Sequence, residues 1–366
     1  MPPKDYLRLR FPTLGERLPR TRLASLPTVL TQASTRFAGA ERMLLIKRDD
    51  QTGCIYGGNK VRKLEYIFPR ARARRCLRIA TFGAAGSNHA LATALYAKFS
   101  GFECTCFLSQ QASTPLVAAT LNKHIRNGTE LVPFSGNYAT RLGILREHLW
   151  GRHAWVIPLG GSSWLGTVGF VAAGLEVADQ LATAGYPAPD RLYVAAGTMG
   201  SAVGIALGFA LAGVDTEVQA VRVSDTSIMN QGALDRLLRK TVLLMHSQDD
   251  SVPADLAEVA RIRIRDDFFG PGYARGTPAT DEAIDFAANS LGLVLETTYT
   301  AKAMSALLSD WRSGENFSAM YWHTYSSAAL DVPTDRVLDE TALPASFLRY
   351  FGQGAESVVG DRNIRG

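Results

Sequence analysis

Short apolar runs alternate with longer stretches of helical periodicity along almost the whole chain. The short runs predict strands at residues 44–47, 79–82, 104–108, 131–134, 155–158, 192–195, 218–223 and 319–322. The longer stretches predict helices at residues 60–75, 88–100, 115–126, 138–150, 165–184, 201–212, 231–244, 253–263, 280–291 and 300–313. Strands that alternate with helices of this length are typical of an α/β fold, in which mostly parallel sheets are covered by helices.

Two sheets are favoured over one, because a single sheet would have to contain all eight predicted strands. The self-contained βα series at residues 63–165 indicates a smaller α/β domain inserted into a larger one, formed by residues 1–62 and 166–352. A ligand is expected in the cleft between these domains. Between about residues 223 and 293 the pattern predicts mostly helix. The polar, glycine-rich segment 353–366 is predicted to be a flexible tail.

Composition indicates an ordinary globular protein, because 46% of the 366 residues are hydrophobic and 20% are charged. No stretch approaches the ~20 uninterrupted apolar residues of a membrane span, and the start lacks the apolar core of a secretory signal. The cysteines fit neither a disulfide framework nor a zinc site, and no carboxylate cluster suggests another metal. We therefore expect a cytoplasmic protein with reduced thiols, no metal and no contact with a membrane.

The positive charge of the chain raises the question of nucleic acid. The formal net charge is +5, the isoelectric point is about 9.0, and the densest basic run lies at residues 70–75. That run falls at the end of a predicted helix, where cations complement the helix dipole. A solvated helix end is favoured over a nucleic-acid site, so we predict no nucleic-acid partner.

Two polar turns contain candidate catalytic and binding residues. Lys60 follows the glycine turn Gly57-Gly58-Asn59, which places its amine to act as a nucleophile. Ser87-Asn88-His89 opens a later helix, where anions and ring oxygens are readily bound. The alternative for the lysine, a surface charge at the start of a helix, stays open.

A third turn connects a predicted strand to a helix and has the sequence Gly197-Thr198-Met199-Gly200-Ser201. Its exposed backbone N–H groups and two hydroxyls would form an anion-binding cup on the positive end of the helix. It is not a Walker loop and does not match the dinucleotide fingerprint. A tight turn would look similar, but a lysine together with a phosphate cup has one economical explanation, pyridoxal 5′-phosphate.

These motifs resemble the D-cysteine desulfhydrase and 1-aminocyclopropane-1-carboxylate (ACC) deaminase family of pyridoxal-phosphate enzymes. The resemblance runs from about residue 40 to residue 330, through segments 47–50, 57–65, 87–89, 157–170, 269–273, 298–304 and 323–324. It implies the two-domain, tryptophan-synthase-β-like fold (fold type II) and, as in family members, a homodimer. It also implies a small amino-acid substrate.

The resemblance assigns Lys60 to the Schiff base with the cofactor, with Lys63 as the rival. It implies that Asn59 and the cup Gly197–Ser201 also bind the cofactor and that Asn88 bonds the ring oxygen. Ser87 would bind the substrate carboxylate or transfer a proton, although it could also simply cap a helix. His89, beside Asn88, is a candidate substrate contact.

The later motifs imply proton-transfer and ring contacts. Tyr273 and Tyr299 match the two active-site tyrosines of the family, and a nearby cationic amine is expected to lower their pKa. The alternative is a pair of core tyrosines with satisfied hydroxyls. Thr324 would face the pyridine nitrogen, which a neutral hydroxyl cannot hold protonated. That arrangement favours elimination over transamination.

The chain also departs from the family pattern. ACC deaminases carry glutamate where this chain has Thr300, which moves the prediction towards a desulfhydrase-like α,β-elimination that yields a 2-oxo acid and ammonia. Segments 296–298 and 325–327 differ from the family, and Gly86 replaces a glutamine. These changes leave the substrate and its stereochemistry open. ACC deamination, β-replacement, racemisation and a non-catalytic ligand-binding homologue remain alternatives.

Overall fold

The computed structural model describes residues 4–351. The predicted tail, residues 353–366, lies outside the described residues. Within the described part the strands are β1 (Leu30–Phe37), β2 (Ala40–Arg48), β3 (Arg78–Ala84), β4 (Glu103–Ser109), β5 (Glu130–Pro133), β6 (Ala154–Ile157), β7 (Arg191–Ala196), β8 (Glu217–Arg222), β9 (Ile262–Arg265) and β10 (Ala319–His323). Every predicted strand is present, so the alternation of short and long apolar patterns identified these elements correctly.

Helices connect most of these strands. They are α1 (Tyr6–Arg10), α2 (Pro12–Arg17), α3 (Lys60–Ala73), α4 (Asn88–Phe99), α5 (Pro115–Asn127), α6 (Tyr138–Leu149), α7 (Trp164–Ala184), α8 (Gly200–Ala212), α9 (Gln231–Gln248), α10 (Leu256–Val259), α11 (Pro278–Leu291) and α12 (Thr300–Arg312). Several begin at a side-chain cap, such as Ser87 before α4 and Thr277 before α11. Left-handed glycines end α5, α7, α8 and α11.

The larger sheet has the strand order β1-β2-β10-β7-β8-β9. All neighbouring strands are parallel except β1 and β2, which form an antiparallel hairpin. The hairpin turn contains Ala38 and Gly39, both with positive φ, as a tight two-residue turn requires. The sheet is therefore mostly parallel, as predicted.

The smaller sheet has the order β5-β4-β3-β6, with every pair of neighbours parallel. All four strands lie within the segment 63–165 that the sequence indicates as an inserted domain. The exact domain bounds, 1–62 plus 166–352 and 63–165, stay a prediction.

Helices cover both faces of each sheet. One apolar core packs α7, α8 and α9 against the larger sheet, and a second packs α11 and α12 against its other face. The helix α7 is long and apolar enough to cross a membrane by length and composition alone. Most of it is buried inside the protein, however, as expected for a core helix.

The predicted helix at residues 253–263 is wrong in its second half. The helix α10 spans only Leu256–Val259, and the chain then forms the edge strand β9 beside β8. In β9 two isoleucines alternate with two arginines, a period of two that suits an edge strand with one apolar face. The strand β1 was not predicted either, because its polar residues leave most of it accessible.

The carboxyl ends of the parallel strands position the site. Chain segments that leave β2, β3, β7 and β10 at these ends lead into the lysine turn, the Ser87 turn, the glycine cup and Thr324. Open α/β sheets bind ligands outside the carboxyl ends of their strands. The topology therefore brings the polar turns of both sheets to one place.

Candidate active site

One cavity of about 460 Å³ lies where the carboxyl ends of the two sheets meet. This volume is within the usual range of ligand pockets, roughly 300–1,000 Å³. Each predicted site residue lines it, namely Asn59, Lys60, Ser87, Asn88, His89, Gly197, Thr198, Met199, Gly200, Ser201, Tyr273, Tyr299 and Thr324. The structure thus brings together all the residues that the sequence singled out, while their individual roles stay predictions.

Lys60 is the first residue of α3 and projects into the cavity wall. The turn before it passes close to the strand β10, because a Cβ at Gly58 (φ +87°) would lie 2.8 Å from the Thr324 carbonyl oxygen. The backbone N–H of Asn59 donates to that same oxygen at 3.1 Å. Burial lowers the pKa of the Lys60 amine to about 8, which increases the fraction of neutral, nucleophilic amine near neutral pH.

Lys63, one helical turn further on, has a different environment. Its Nζ donates to the Gly160 carbonyl oxygen at 3.0 Å and to Ser162 Oγ at 2.9 Å. Burial, with a contribution from the Lys60 charge, holds the pKa of Lys63 well below its usual value. Because its amine is tied to the 160–162 segment, Lys63 is less available as a nucleophile than Lys60.

The cup joins the end of β7 to the start of α8. Met199 adopts a left-handed conformation (φ 60°) just before α8, which turns the chain sharply into the helix. Hydroxyls surround the turn, since Ser162 Oγ lies 2.7 Å from Thr198 Oγ1, and Asn59 Nδ2 donates to Ser201 Oγ at 3.1 Å. A helix N-terminus with several hydroxyl groups is an anion-binding arrangement.

Gly200 of the cup leaves room for the tips of two side chains. A Cβ at Gly200 would lie 2.5 Å from Ser162 Oγ and 2.9 Å from Lys63 Nζ. The Lys63 amine therefore reaches the cup and adds an N–H donor to its hydroxyls. The sequence marks Lys63 only as a rival to Lys60, since nothing in it shows that segment 160–162 packs beside residues 198–200.

The Ser87 turn forms the wall contributed by the smaller sheet. Ser87 caps α4, because its Oγ accepts from the Ala90 N–H at 3.3 Å. Tyr56 donates from its hydroxyl to Asn88 Oδ1 at 3.0 Å, which fixes the orientation of that amide. His89 lies 2.8 Å from Thr81 Oγ1 through Nε2, and burial holds its pKa well below its usual value. Its ring is thus neutral and anchored to β3.

Tyr273 and Tyr299 form a hydrogen-bonded pair, with their hydroxyl oxygens 2.7 Å apart. Burial raises the pKa of Tyr273 to about 12, although the hydrogen bond from its partner opposes the change. Burial also raises the pKa of Tyr299 well above its usual value. The expected lowering of the phenol pKa values is therefore wrong for the protein by itself, because desolvation and the nearby Glu296 charge raise both of them.

Glu296 is a site residue whose function sequence reasoning missed. Its carboxylate accepts from the N–H groups of Thr298, Tyr299 and Thr300 at 2.8–2.9 Å and lines the cavity beside the tyrosine pair. Thr300 also contacts this carboxylate through its hydroxyl. An acidic residue just before a predicted helix was the available signal, since carboxylates favour helix N-termini.

The segment 325–327 forms hydrogen bonds with the lysine turn and with the chain just before it. Ser326 Oγ accepts from the Gly57 N–H at 2.9 Å, and the Ser327 N–H donates to the Asp50 carbonyl oxygen at 3.1 Å. Tyr325 lines the cavity. These residues, which depart from the family pattern, therefore hold the turn that presents Lys60.

A buried ionic cluster anchors α3 behind the cavity. Arg62 donates to Asp49 Oδ1 at 2.7 Å and to Glu176 Oε1 at 2.9 Å, and Lys47 lies 2.5 Å from the same glutamate oxygen. Burial alone would raise the pKa of Glu176, but the Arg62 and Lys47 charges hold it down at about 2. The cluster connects β2, α3 and α7, the elements around the Lys60 turn.

A family model for pyridoxal-phosphate dependent enzymes matches residues 21–320. The chain belongs to this family. The match includes the lysine turn, the Ser87 turn, the cup and both tyrosines. The family assignment confirms the predicted cofactor, pyridoxal phosphate.

Individual relatives agree with this assignment. Nocardicin C-9′ epimerase of Nocardia uniformis subsp. tsuyamanensis is 32% identical over 320 residues, which cover 85% of this chain and 93% of that protein. D-cysteine desulfhydrase of Salmonella typhi is 31% identical over 330 residues, which cover 86% and 96%. The crystal structure of an ACC deaminase homologue has a TM-score of 0.69 at 26% identity and covers 88% and 94%. These similarities confirm the predicted family and its fold type II architecture.

The residues around the cavity fit the cofactor of the family. The cup offers hydroxyls, a helix N-terminus and the Lys63 amine, which match a phosphate group. Lys60 offers an amine of lowered pKa, which matches the cofactor aldehyde. Between them the walls are formed by Asn88, Thr324 and the tyrosine pair.

Proposed function

We propose that this protein is a lyase that removes a β substituent from a small amino acid by α,β-elimination. The products would be a 2-oxo acid and ammonia. The observation that carries the proposal is Lys60, an amine of lowered pKa that shares one cavity with a phosphate-type cup and a tyrosine pair. The 31% identity to a D-cysteine desulfhydrase supports the same reaction class.

The cofactor would be held by Lys60, Asn59, Asn88, Thr324 and the cup Gly197–Ser201, with Lys63 beside the cup. When bound, it supplies an electron sink for the carbanion that forms at the substrate Cα. Because the Thr324 hydroxyl is neutral, it contributes no negative charge beside the ring.

The protein groups would bind the substrate and move protons. The N-terminus of α4, with Ser87, Asn88 and His89, would bind the substrate carboxylate. Lys60, or a group beside it, would take the Cα proton. The hydroxyl pair Tyr273–Tyr299, kept protonated by burial, would donate a proton to the leaving group as the Cβ bond breaks. Water would then complete the release of the 2-oxo acid and ammonia.

Epimerisation at Cα is a second candidate function. It is favoured by the 32% identity to nocardicin C-9′ epimerase over most of both chains. Epimerisation and elimination share the first step, which is removal of the Cα proton. Epimerisation then returns a proton to the opposite face of Cα. ACC deamination is disfavoured because Thr300 stands where the ACC deaminases carry glutamate.

We also propose that the protein is a cytoplasmic homodimer that binds neither nucleic acid nor a membrane. It would have the two domains predicted from the sequence. Support for the dimer comes from the family and from large exposed aromatic side chains at the two ends of α6, Tyr138 and Trp150. Light scattering measures the mass in solution, and a monomer mass contradicts the dimer.

The elimination is tested by assaying 2-oxo acid and ammonia from both enantiomers of cysteine and β-chloroalanine and from ACC. We expect both products from at least one amino acid with a β leaving group and none from ACC. Exchange of the Cα proton in deuterium oxide, measured by NMR, detects the shared first step, and formation of the opposite enantiomer, measured by chiral chromatography, detects epimerisation. Exchange without release of ammonia would reject the lyase and favour the epimerase, and 2-oxo acid from ACC alone would reject both.

A further inference from the structure

The cavity continues from the candidate catalytic groups to an aromatic wall that the proposed chemistry does not use. Phe82, Phe107 and Phe134 line the cavity at the carboxyl ends of β3, β4 and β5. Their ring centroids lie 5.3–5.6 Å apart, so that the three rings form one contiguous cluster. This distance range is that of favourable aromatic pairs.

The wall is accessible from the cavity. Phe107 is fully buried and forms its base, whereas Phe82 and Phe134 are only half-buried. A ligand that covers exposed apolar surface in a cavity removes that surface from water, which stabilises the complex. A thiol-bearing side chain as small as that of cysteine cannot cover rings of this size.

The position of the wall relates it to the Ser87 turn. Phe82 lies near the end of β3, and one tight turn leads from this strand to Ser87. The aromatic wall and the turn that would bind the substrate carboxylate therefore lie at the same end of β3. Arg141 of α6 lies over the Phe134 ring, with its guanidinium carbon 5.5 Å from the ring centroid. Ile228 adds an apolar side chain from another segment of the cavity lining.

We infer that the substrate is an amino acid with a large aromatic side-chain substituent, held against Phe82 and Phe134. The inference rests on the proposed elimination, and it replaces the small side chain of the proposed substrate with a large aromatic one. In the elimination, the Cα–H and Cβ–S bonds of an S-aryl or S-benzyl cysteine break. The thiolate leaves with the electron pair and takes a proton, and water converts the remaining enamine into pyruvate and ammonia.

The test compares S-benzylcysteine with cysteine and β-chloroalanine, each in the enantiomer that reacts. We expect kcat/KM for S-benzylcysteine to be at least about tenfold higher than kcat/KM for cysteine, whose leaving group is also a thiolate. Phe134→Leu should lower that value about tenfold while leaving kcat/KM for β-chloroalanine nearly unchanged. A wild-type kcat/KM for cysteine that equals or exceeds the value for S-benzylcysteine would overturn the inference.

Phe102→Leu is the matched control. Phe102, just before β4, also belongs to an aromatic pair, with its ring centroid 5.5 Å from that of Phe68 in α3, but it does not line the cavity. Its replacement should leave the ratio of the two kcat/KM values unchanged, and circular dichroism of both variants checks their folding. A Phe102→Leu variant with the same loss of selectivity as Phe134→Leu would contradict a specific role of the wall.

A binding measurement separates failure of the inference from failure of the proposed reaction. Phenylalanine lacks a β leaving group, so calorimetry on the holoenzyme measures its binding without elimination. We expect it to bind at least about tenfold more tightly than alanine, and the preference to be lost in Phe134→Leu. Selective binding with no 2-oxo acid from any substrate would reject the lyase and support the aromatic site. Turnover of small substrates with no preference for phenylalanine would reject the aromatic site alone.

Discussion

Lys60 and Lys63 lie one helical turn apart, yet their amines have different surroundings. Lys63 is bonded to Gly160 and Ser162, whereas the Lys60 amine lines the open cavity. Burial lowers the pKa of both, and Lys60 titrates at about 8. An increased fraction of neutral amine and an accessible direction of attack therefore coincide at Lys60, while Lys63 complements the anion cup.

Glu296 should control the protonation of the tyrosine pair. Its negative charge, in addition to burial, raises the pKa of Tyr273 and of Tyr299. Glu296→Gln removes that charge, so both phenol pKa values should fall. The basic limb of the pH dependence of kcat/KM should then begin at lower pH, and tyrosinate absorption should appear at lower pH in the same variant.

Glu296→Asp is the matched control, since it keeps the charge. Its basic limb should stay at the wild-type pH even if its overall activity falls. A Glu296→Gln variant with an unchanged basic limb and unchanged tyrosinate titration would show that the carboxylate only caps α12.

At the scale of elements, the helix α3 presents Lys60 and is anchored by Arg62. The guanidinium is almost fully buried and bonded to Asp49 and Glu176, which are also buried. The end of β2, the helix α3 and the distant helix α7 thus meet behind the lysine turn. The position of Lys60 depends on this cluster as well as on the glycines that precede it.

Arg62→Met should destabilise the protein by about 3–5 kcal/mol, because it leaves the buried Asp49 carboxylate without its ion pair and leaves Glu176 with Lys47 alone. Urea unfolding followed by circular dichroism measures the change in the free energy of unfolding. Arg74→Met, at the exposed end of α3, is the control and should change that free energy by about 0.5 kcal/mol or less. Equal effects of the two substitutions would contradict the anchoring role of Arg62.

The elements that sequence reasoning predicted well are those with a strong apolar period. The helices α4, α7 and α8 begin within one residue of their predicted starts, since a cap or a glycine turn marks each start. The edge strands β1 and β9 were missed because an edge strand needs few apolar residues. The parallel pairing of the inner strands followed from their alternation with helices.

At the scale of the whole molecule, the order of motifs indicated one site, but not its shape. The turns at Lys60, Ser87, Gly197 and Thr324 could be expected to meet because they follow parallel strands. The aromatic wall could not be predicted, since Phe82, Phe107 and Phe134 belong to separate strands and resemble ordinary core residues. The Lys63 contact with the cup depends likewise on packing between distant segments.

The central claim is that Lys60 is the residue that binds the cofactor covalently. Reduction of the holoenzyme with borohydride makes such a bond permanent, and fragment mass spectrometry then locates it. We predict that the cofactor mass lies on Lys60, with Lys63 unmodified, and that Lys60→Ala carries no covalent cofactor and has no turnover. Cofactor mass on Lys63, or a Lys60→Ala variant that turns substrate over at the wild-type rate, would contradict the account.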